Sequence, residues 1–262
     1  MRELRLVLVG WGAIAQRVAG MLPDGVVLAG VGLRPGSAAV LPDGVARIDG
    51  PEGLAALAPG LVIEAAGRAA AGPWGLAALN CGADYAPVST SALTDAALLA
   101  ALVAAAQAAG RQVLIPPGAL GGIDALAAAA LLPLVQVRHE IVKPPAAWAG
   151  TEAEVLCDLA QLAGPVTFWQ GPAAGAAARF PHNANVAAIT ALAGLGMAGT
   201  QVALVADPGA ERNAHRVTAS GDFGTLSVAL ENRPMATNPK TSELTALSLV
   251  RLIANRIGPL VI

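Results

Sequence analysis

Short apolar runs alternate with helix-like stretches through the first 117 residues of the chain. The runs have the length of strands and are bounded by glycine, proline and small polar residues. The predicted strands are residues 5–10, 26–33, 61–67, 84–90 and 111–117. A helix is predicted at 13–22, and the longest helix at 95–110, with Thr94 as its N-cap and Gly110 at its end. This alternation favours a doubly wound parallel sheet.

After Pro117 the rhythm changes to one helical pattern followed by several strand patterns. The helix is predicted at 121–132, and the strands are predicted at 135–142, 164–171, 215–221 and 225–232. Only the tripeptide DFG separates the last two strands, which predicts an antiparallel hairpin. The pattern therefore predicts a second α/β domain with a mixed, partly antiparallel sheet.

The end of the chain returns to helical spacing and sets the predicted domain boundaries. Between Ser242 and Asn255 the apolar residues recur on one face, as in a helix that docks on a folded domain. We predict a first domain at 1–117, a second at 118–239, and a segment at 240–262 that packs back on the first. A chain of 262 residues is long enough to form two cores.

Composition and charge narrow the class of partner. Hydrophobic residues make up 55% of the chain and charged residues 13%, and alanine accounts for much of the excess. The mean hydropathy of +0.60 therefore fits close helix packing. The net charge is −2 and no run of Lys or Arg occurs, which disfavours a nucleic-acid surface. A small-molecule partner is expected.

No membrane span, export signal or metal site is predicted. Residues 186–206 are uncharged over a length that could cross a bilayer, but residues 194–201 resemble a helix end and a turn. This favours a buried helix followed by a buried strand. Glu3 and several glycines interrupt the apolar N-terminal run, unlike in a signal peptide. Cys81 and Cys157 are isolated, which favours free thiols in a reducing cytoplasm over a disulfide or zinc site.

The run GWGAIA directly follows the first predicted strand and opens the first predicted helix. It has the form G-x-G-x-x-A of the dinucleotide fingerprint. Gly10 permits the tight turn, Gly12 lets the pyrophosphate approach the backbone, and Ala15 lets helix and strand pack closely. The helix start at Ala13 and Ile14 offers N–H groups and a favourable dipole to the phosphates. Ordinary glycines of a strand–helix turn are the alternative.

The ribose end of this predicted site departs from the usual pattern. A strand-end Asp or Glu about 20 residues past the glycines accepts hydrogen bonds from the ribose 2′-hydroxyl of NAD. Here Gly32 stands near that place and Arg34 lies just beyond. Because a guanidinium pairs with a phosphate dianion, the sequence favours NADP or use of both cofactors. A solvated loop arginine is the alternative.

Three histidines are candidates for a general base near neutral pH. His139 lies within an alternating strand, which favours a structural role. His182 stands at a predicted helix start beside Asn183, where capping or exposure would explain it. His215 follows Asn213 by two positions, so both side chains project to one face of a strand. The pattern therefore favours His215.

An ordered set of motifs resembles the L-aspartate dehydrogenases of the NadX type. The motifs span nearly the whole chain: GWGAIA, VIEAAG, PVSTSALTD, PPGALGGIDAL, RFPHNANVAAITALAGLG, NAHRVTASGDFG and ENRPMATNPKTSELTALSLV. The resemblance implies a Rossmann domain and a catalytic α/β domain whose mixed sheet also helps to form a homodimer. It also implies NAD(P)-dependent oxidation of aspartate to iminoaspartate, which goes on to oxaloacetate and ammonia or to NAD biosynthesis.

The resemblance also implies roles for residues near the cofactor. Ala119 of GALGG and Asn185 of PHNANV would contact the cofactor near its nicotinamide end. Ala66 and Gly67 of VIEAAG would also belong to the cofactor site. Gly32 stands where many members of the family carry an acidic ribose ligand, which puts strict NAD specificity in doubt.

His215 of NAHRV would be the catalytic histidine of this resemblance. Its imidazole would accept a proton from the substrate ammonium while hydride leaves to the nicotinamide, and it could activate water for hydrolysis of the imine. The two substrate carboxylates need hydrogen-bond donors. The candidates are Asn183, Lys240, Thr241 and backbone N–H groups.

Two other functions stay open at this point. Homoserine dehydrogenases and dihydrodipicolinate reductases also join an N-terminal Rossmann domain to a mixed-sheet domain, and fold alone does not separate them. The motifs NAHRV and PHNANV favour aspartate dehydrogenase. A regulator that binds NAD(P) without chemistry would keep the phosphate loop and have no need of His215.

Overall fold

The chain folds into two compact α/β units. A computed structural model describes residues 3–262, except that the side chains of His182, Pro239 and Lys240 lie outside the described part. One unit holds the chain up to Gly118 together with Thr245–Ile262, and the other is Ala119–Leu244.

The first unit is built on a parallel sheet of five strands. They are β1 (Leu4–Val9), β2 (Val26–Gly32), β3 (Ala46–Ile48), β4 (Leu61–Glu64) and β5 (Asp84–Pro87). Their order in the sheet is β3-β2-β1-β4-β5. The chain leaves β1 towards one side for β2 and later returns to the other side for β4. This reversal is the switch point of a doubly wound fold, and ligands bind beyond the carboxyl ends of its strands. The predicted fold class is confirmed.

Helices connect these strands. They are α1 (Ala13–Ala19), α2 (Leu54–Leu57), α3 (Arg68–Asn80) and α4 (Ala96–Ala109). The N-cap predicted for α4 was wrong. The Asp95 carboxylate accepts the N–H groups of Ala97 and Leu98 at 2.9 and 3.2 Å, whereas the Thr94 hydroxyl donates to the Ser91 carbonyl at 2.8 Å. At the other end Gly110 has a φ of +61°, as the predicted left-handed cap requires.

The strand predicted at 111–117 is replaced by a single bridge. Val113 pairs in parallel with Tyr85, whose N–H donates to the Gln112 carbonyl at 2.9 Å and whose carbonyl accepts the Leu114 N–H at 2.7 Å. Two prolines follow at 116 and 117, and proline has no N–H with which to continue a ladder. The pairing therefore stops after one residue.

The second unit is built on a mixed sheet of five strands. They are β6 (Leu134–Lys143), β7 (Val166–Pro172), β8 (Gln201–Ala206), β9 (Asn213–Gly221) and β10 (Gly224–Asn232). Their order is β10-β9-β6-β8-β7, with β6 and β8 parallel and the other neighbours antiparallel. The predicted hairpin is confirmed, and its turn is the pair Asp222 and Phe223. A small ribbon of β11 (Pro234–Met235) and β12 (Asn238–Ser242) follows.

Five helices accompany this sheet. They are α5 (Ile123–Ala129), α6 (Ala153–Leu156), α7 (Ala173–Arg179), α8 (Ala184–Ala193) and α9 (Gly196–Gly199). The uncharged segment 186–206 thus forms most of α8, the short helix α9 and the buried strand β8. The predicted buried helix followed by a buried strand is confirmed, but the stretch expected to be a turn contains α9. Within residues 3–262, no helix is both long and apolar enough to cross a membrane.

Alternation along β6 and β9 separates a buried face of the sheet from a charged one. His139 and His215 point to the face that packs against α8, and both are buried. The carboxylate of Glu140 points to the opposite face and pairs with Arg138 at 3.1 Å and Arg216 at 3.2 Å. Both histidines are therefore held among apolar side chains.

The last helix, α10 (Glu243–Ile257), continues into the segment that belongs to the first unit. Its residues Leu249 and Ile253 are buried. The Arg256 guanidinium pairs with the buried carboxylate of Asp84, which also accepts the Gln112 N–H at 2.8 Å. Apolar contact and one ion pair thus fix the helix to the unit that contains β5.

Candidate functional site

The loop after β1 has the backbone geometry of a phosphate cradle. Gly10 has a φ of +89°, and a Cβ atom there would lie 2.9 Å from the Ala65 carbonyl oxygen. A Cβ atom at Gly12 would meet nothing within 4 Å, so this stretch of backbone faces open space. Ala15 in α1 is buried, as close helix–strand packing requires. The residues present therefore fit a dinucleotide pyrophosphate.

A buried carboxylate shapes the neighbouring loop after β4. The Oε1 atom of Glu64 accepts the N–H groups of Ala66 and Gly67, both at 2.7 Å, and the Ser89 hydroxyl at 3.0 Å. Its Oε2 atom accepts the Ser89 N–H at 3.2 Å. Burial raises the pKa of Glu64, and these hydrogen bonds oppose the rise. Glu64 thereby holds two predicted cofactor residues at the carboxyl edge of the sheet.

The end of β2 leaves little space for a side chain at Gly32. A Cβ atom at Gly32 would lie 2.5 Å from the Trp74 ring, so the ring occupies the space that a side chain would need. Arg34 is exposed. The Arg47 guanidinium donates to the carbonyls of Ser37 at 2.7 Å and Arg34 at 3.4 Å, which holds the loop after β2 together.

The predicted cofactor residues of the first unit gather at one edge of its sheet. They are Gly10, Gly12, Ala13, Ile14, Arg34, Ala66 and Gly67. Each follows the end of β1, β2 or β4. Because these strands are parallel and adjacent, their carboxyl ends meet at the same edge.

In the second unit, three strand ends meet at a cavity of about 470 Å³. Lys143 ends β6, Asn213 begins β9 and Asn232 ends β10, and Asn213 is paired directly with Asn232. The described lining comprises Lys143, Pro144, Ala146, Ala147, Trp148, Ala149, Gly150, Thr151, Asn183, Glu211, Arg212, Asn213, Asn232 and Pro234. This volume suits a small ligand, and the amides and the ammonium group offer it polar partners.

Lys143 places a poorly compensated positive charge at this cavity. Its Nζ lies 4.9 Å from the centroid of the Trp148 ring, which is a cation–π contact. Burial lowers the pKa of Lys143 to about 8, so the ammonium form still predominates at neutral pH. Throughout the described part of the chain, no carboxylate forms an ion pair with it. An anionic ligand would supply the missing partner.

The two buried histidines of the sheet touch each other. Nε2 of His139 lies 3.1 Å from Nδ1 of His215, and Nδ1 of His139 lies 2.9 Å from the Thr190 hydroxyl of α8. Burial and the positive charge of Lys143 lower the pKa of His215 to about 4. Burial and His215 lower the pKa of His139 as well. Both rings are therefore neutral at physiological pH, and His139, expected to be structural, is in direct contact with the predicted base.

Two further predicted residues lie close to the cavity lining. Asn183 is the N-cap residue of α8, is buried and lines the cavity. The Ala119 carbonyl accepts a hydrogen bond from the Asn232 side chain at 2.9 Å. The second unit thus brings Asn183 and Ala119 into the same strand-end region.

The remaining predicted residues lie elsewhere in the second unit. Asn185 is exposed in the first turn of α8. The Thr241 hydroxyl in β12 accepts a hydrogen bond from the Asn238 side chain at 3.1 Å. Neither belongs to the described lining of the cavity. The side chain of Lys240 lies outside the described residues.

Sequence reasoning missed five polar residues that shape these two regions. They are Arg47, Glu64, Lys143, Thr190 and Asn232. A signal was readable for Lys143, because it directly follows the strand predicted at 135–142 and lies an even number of positions after His139. Nothing in the spacing of Thr190 or Asn232 linked them to their partners, which are distant in the sequence.

Two family models match the chain, one for each part of the fold. The model for "Aspartate dehydrogenase, C-terminal" matches residues 124–256. The model for "Homoserine dehydrogenase, NAD binding domain" matches residues 10–116. The cavity and both buried histidines fall within the first of these matches.

Curated relatives resemble the chain over nearly their full length. The L-aspartate dehydrogenase of Brucella anthropi is 51% identical over 262 residues, which cover 98% of either chain. That of Ruegeria pomeroyi is 44% identical over 256 residues, covering 97% of this chain and 93% of the relative.

Solved structures show the same fold. The crystal structure of aspartate dehydrogenase from Thermotoga maritima superposes with a TM-score of 0.80 at 24% identity, covering 99% of both chains. A dihydrodipicolinate reductase from Paenisporosarcina gives a TM-score of 0.57 at 12% identity, with 97% and 94% covered. The fold is thus shared with a protein that has a different name, so the fold alone does not identify the function.

We expect the protein to lose stability on acidification because its buried histidines resist protonation. The pKa of His215 is about 4 in the folded chain against 6.5 ordinarily, so between these values the unfolded state binds the additional proton. This contribution is fully present above pH 6.5 and is lost as the pH falls towards 4. It amounts to about 3 kcal/mol for His215, and His139 acts in the same direction.

Urea unfolding followed by circular dichroism, from neutral pH down to about pH 5, measures this loss. A double variant, His139→Gln with His215→Gln, provides the comparison because it lacks both imidazoles. Its free energy of unfolding should depend less on pH over the same range. An equally steep profile in the variant would show that other groups control acid stability.

Proposed function

The chain belongs to the L-aspartate dehydrogenase family, and we propose that it oxidises L-aspartate to iminoaspartate with NAD(P) as acceptor. Water then converts the imine to oxaloacetate and ammonia, and the reaction is reversible. In cells, the imine could instead supply NAD biosynthesis. The observation that carries the proposal is the neutral, buried His215 beside the unpaired Lys143, near a cavity within the part that matches the aspartate dehydrogenase model. That match disfavours the homoserine dehydrogenase, dihydrodipicolinate reductase and regulator alternatives.

The cofactor would be held mainly by backbone groups of the first unit. Gly10 and Gly12 leave room for the pyrophosphate, and the N–H groups of Ala13 and Ile14 would face it. Ala119 and Asn185 are the proposed contacts near the nicotinamide. Ala66 and Gly67, which Glu64 holds in place, are further proposed cofactor residues. When bound, the nicotinamide supplies the acceptor for the hydride of the substrate α-carbon.

His215 would act as the general base. An aspartate ammonium group must lose a proton before its nitrogen lone pair can assist hydride departure, and a neutral imidazole accepts that proton. The low pKa of His215 keeps the imidazole neutral in the free protein. Substrate carboxylates near Lys143 would offset its positive charge, which raises the affinity of His215 for the proton when the substrate is bound. After releasing that proton to solvent, the same imidazole would take a proton from the water that attacks the imine.

Lys143 is the proposed partner of one substrate carboxylate. It lines the cavity, is half-buried beside Trp148 and forms no ion pair with any described carboxylate. A buried charge gains most from a charged partner that fills the vacant position. Asn183 offers an amide to the same cavity, and Lys240 and Thr241 remain proposed contacts on the strength of the NPKTS motif.

We propose that the enzyme uses NADP or both cofactors. Trp74 leaves no room at Gly32 for the carboxylate that would bind the ribose hydroxyls and repel a 2′-phosphate. Arg34 is exposed beyond the strand end, and Arg47 braces the same loop. The Arg47 guanidinium is already paired with Asp49 at 2.9 Å, so the exposed guanidinium of Arg34 is the group that favours an additional phosphate.

The proposed setting is a homodimer in the cytoplasm. The resemblance to the family implies a dimer formed with the help of the mixed sheet. The two ion pairs of Glu140 lie on the face of that sheet opposite the histidines. The two cysteines are free thiols, as fits a reducing compartment.

The reaction itself is tested by initial rates of NADH and NADPH oxidation with oxaloacetate plus ammonia. We expect oxidation that requires both substrates. The variant His215→Ala should still bind the cofactor, measured by fluorescence titration, but its turnover should fall by roughly 100-fold or more. Oxidation of homoserine but not aspartate, or an unaltered rate in the variant, would contradict the proposal.

The role of Lys143 is tested by removing its charge while keeping its length. Lys143→Met should raise the KM for oxaloacetate and for aspartate by about tenfold or more, because an ionic hydrogen bond is lost. The KM for the cofactor should change little. Lys143→Arg is the matched control, since it keeps the positive charge and should recover part of the loss. Equal effects of Met and Arg on substrate KM would argue against an ion pair.

Cofactor choice is tested at Arg34. Arg34→Ala should raise the KM for NADPH by about tenfold, because one charge-assisted hydrogen bond to phosphate is lost, and should leave the KM for NADH nearly unchanged. Arg111→Ala, at another exposed arginine of the first unit, is the control and should change neither. A strong preference of the parent enzyme for NADH would remove the role proposed for Arg34.

A further inference from the structure

A line of hydrogen bonds runs from α8 to His215 and begins at the Thr190 hydroxyl. Thr190 Oγ1 lies 3.1 Å from the Val186 carbonyl oxygen and 2.9 Å from Nδ1 of His139. Two oxygens at this distance repel each other unless a proton lies between them, and a carbonyl has none to give. The single hydroxyl proton of Thr190 therefore points to Val186, the usual bond of a helical threonine to the residue four positions earlier.

This fixes the proton of His139. Since the Thr190 hydroxyl has donated its proton elsewhere, it acts as an acceptor towards His139, and Nδ1 of His139 carries a proton. The ring of His139 is fully buried and neutral, so its Nε2 has a lone pair. Nε2 therefore accepts across the 3.1 Å contact, and Nδ1 of His215 is the donor.

These hydrogen-bond directions leave Nε2 of His215 without a proton. A neutral imidazole has one N–H group, and that of His215 is on Nδ1. In the strand register His139 lies opposite Val217, whereas Lys143 lies at the level of Asn213, on the other side of His215. Since Nδ1 is engaged by His139, Nε2 is the nitrogen of His215 that is left to accept a proton.

We propose that His139 and Thr190 are positioning residues that hold His215 in the tautomer whose Nε2 can accept a proton. The proposal rests on the proposed function only in treating His215 as the base. Without a fixed acceptor at Nδ1, the proton of a neutral imidazole is free to occupy Nε2, and that form offers no lone pair to the substrate.

The line of bonds positions the imidazole but does not conduct a proton away. It ends at the Val186 carbonyl, which has no proton to pass on. When His215 becomes protonated, its Nδ1–H continues to donate to a neutral partner. A carboxylate in the place of His139 would stabilise the imidazolium and make His215 a stronger base. His139 thus sets the orientation of His215 while leaving its basicity low.

The charged groups around this line are few. On the inner face of β6 and β9, the described titratable side chains are His139, His215 and Lys143, and α8 contributes the neutral Thr190. Glu140 lies on the opposite face of the sheet with its two arginine partners. Lys143 is therefore the charge that most affects His215.

The test compares two variants at Thr190 that differ in the hydroxyl group. Thr190→Val has the shape of threonine without an acceptor, and Thr190→Ser keeps the acceptor. We expect kcat to fall by about tenfold in Thr190→Val and to stay within about twofold of the parent in Thr190→Ser, with substrate and cofactor KM nearly constant in both. Equal kcat values for the two variants would overturn the proposal.

Nitrogen-15 NMR of the histidine side chains tests the tautomer without any assay. In the parent protein His215 should be protonated at Nδ1, and in Thr190→Val part of the population should move to Nε2–H. Protonation at Nε2 in the parent, or no shift in the variant, would overturn the proposal.

This measurement keeps the proposal separate from the assignment of activity. An unchanged tautomer with aspartate activity would refute only the positioning role. The expected tautomer without aspartate activity would refute only the proposed function. His139→Leu, if folded, should give the same NMR shift and a loss of kcat at least as large as in Thr190→Val.

Discussion

The second unit is organised by the burial of two neutral imidazoles beneath α8. An imidazole in an apolar environment needs a partner for each ring nitrogen, since an unsatisfied buried polar group is costly. His139 meets this need with Thr190 on one side and His215 on the other, and His215 gains a partner at Nδ1. The Thr190 hydroxyl thereby joins α8 to β6, and Ala187 and Ala191 of the same helix pack in the apolar core. Burial keeps both rings neutral, so the positive charges of the described cavity lining come from Lys143 and the exposed Arg212.

The first unit is suited to bind a pyrophosphate through backbone groups rather than side chains. A pyrophosphate needs close approach to N–H groups, and Gly10 and Gly12 allow it by having no Cβ atoms. At the same edge of the sheet, the Glu64 carboxylate accepts two N–H groups of the loop after β4 and so holds that loop in place. Specific side chains are thus concentrated in the second unit, where the proposed substrate contacts lie, whereas the first unit offers a surface suited to a ligand common to many enzymes.

The fold was largely predictable, because hydrophobic periodicity and glycine positions are local signals. The doubly wound sheet, the hairpin at Asp222 and the helix–strand nature of 186–206 all follow from such signals, and so did the family. Failures occurred where local signals compete, as when Asp95 caps α4 in place of Thr94, or where prolines stop the strand at Val113. The contact between His139 and Thr190 joins residues far apart in sequence, and no periodicity encodes it. The roles of the site residues remain predictions.

The packing of Trp74 against Gly32 has a consequence for how cofactor choice can change over evolutionary time. In this fold an acid at the end of β2 is the direct route to strict NAD use. Here that single substitution would place a Cβ atom 2.5 Å from the indole ring, so it would disturb the packing of the sheet before it altered recognition. A smaller residue at 74 would have to arise first. The order of mutational steps is thereby constrained, and a lineage that keeps the tryptophan is expected to retain its present cofactor preference.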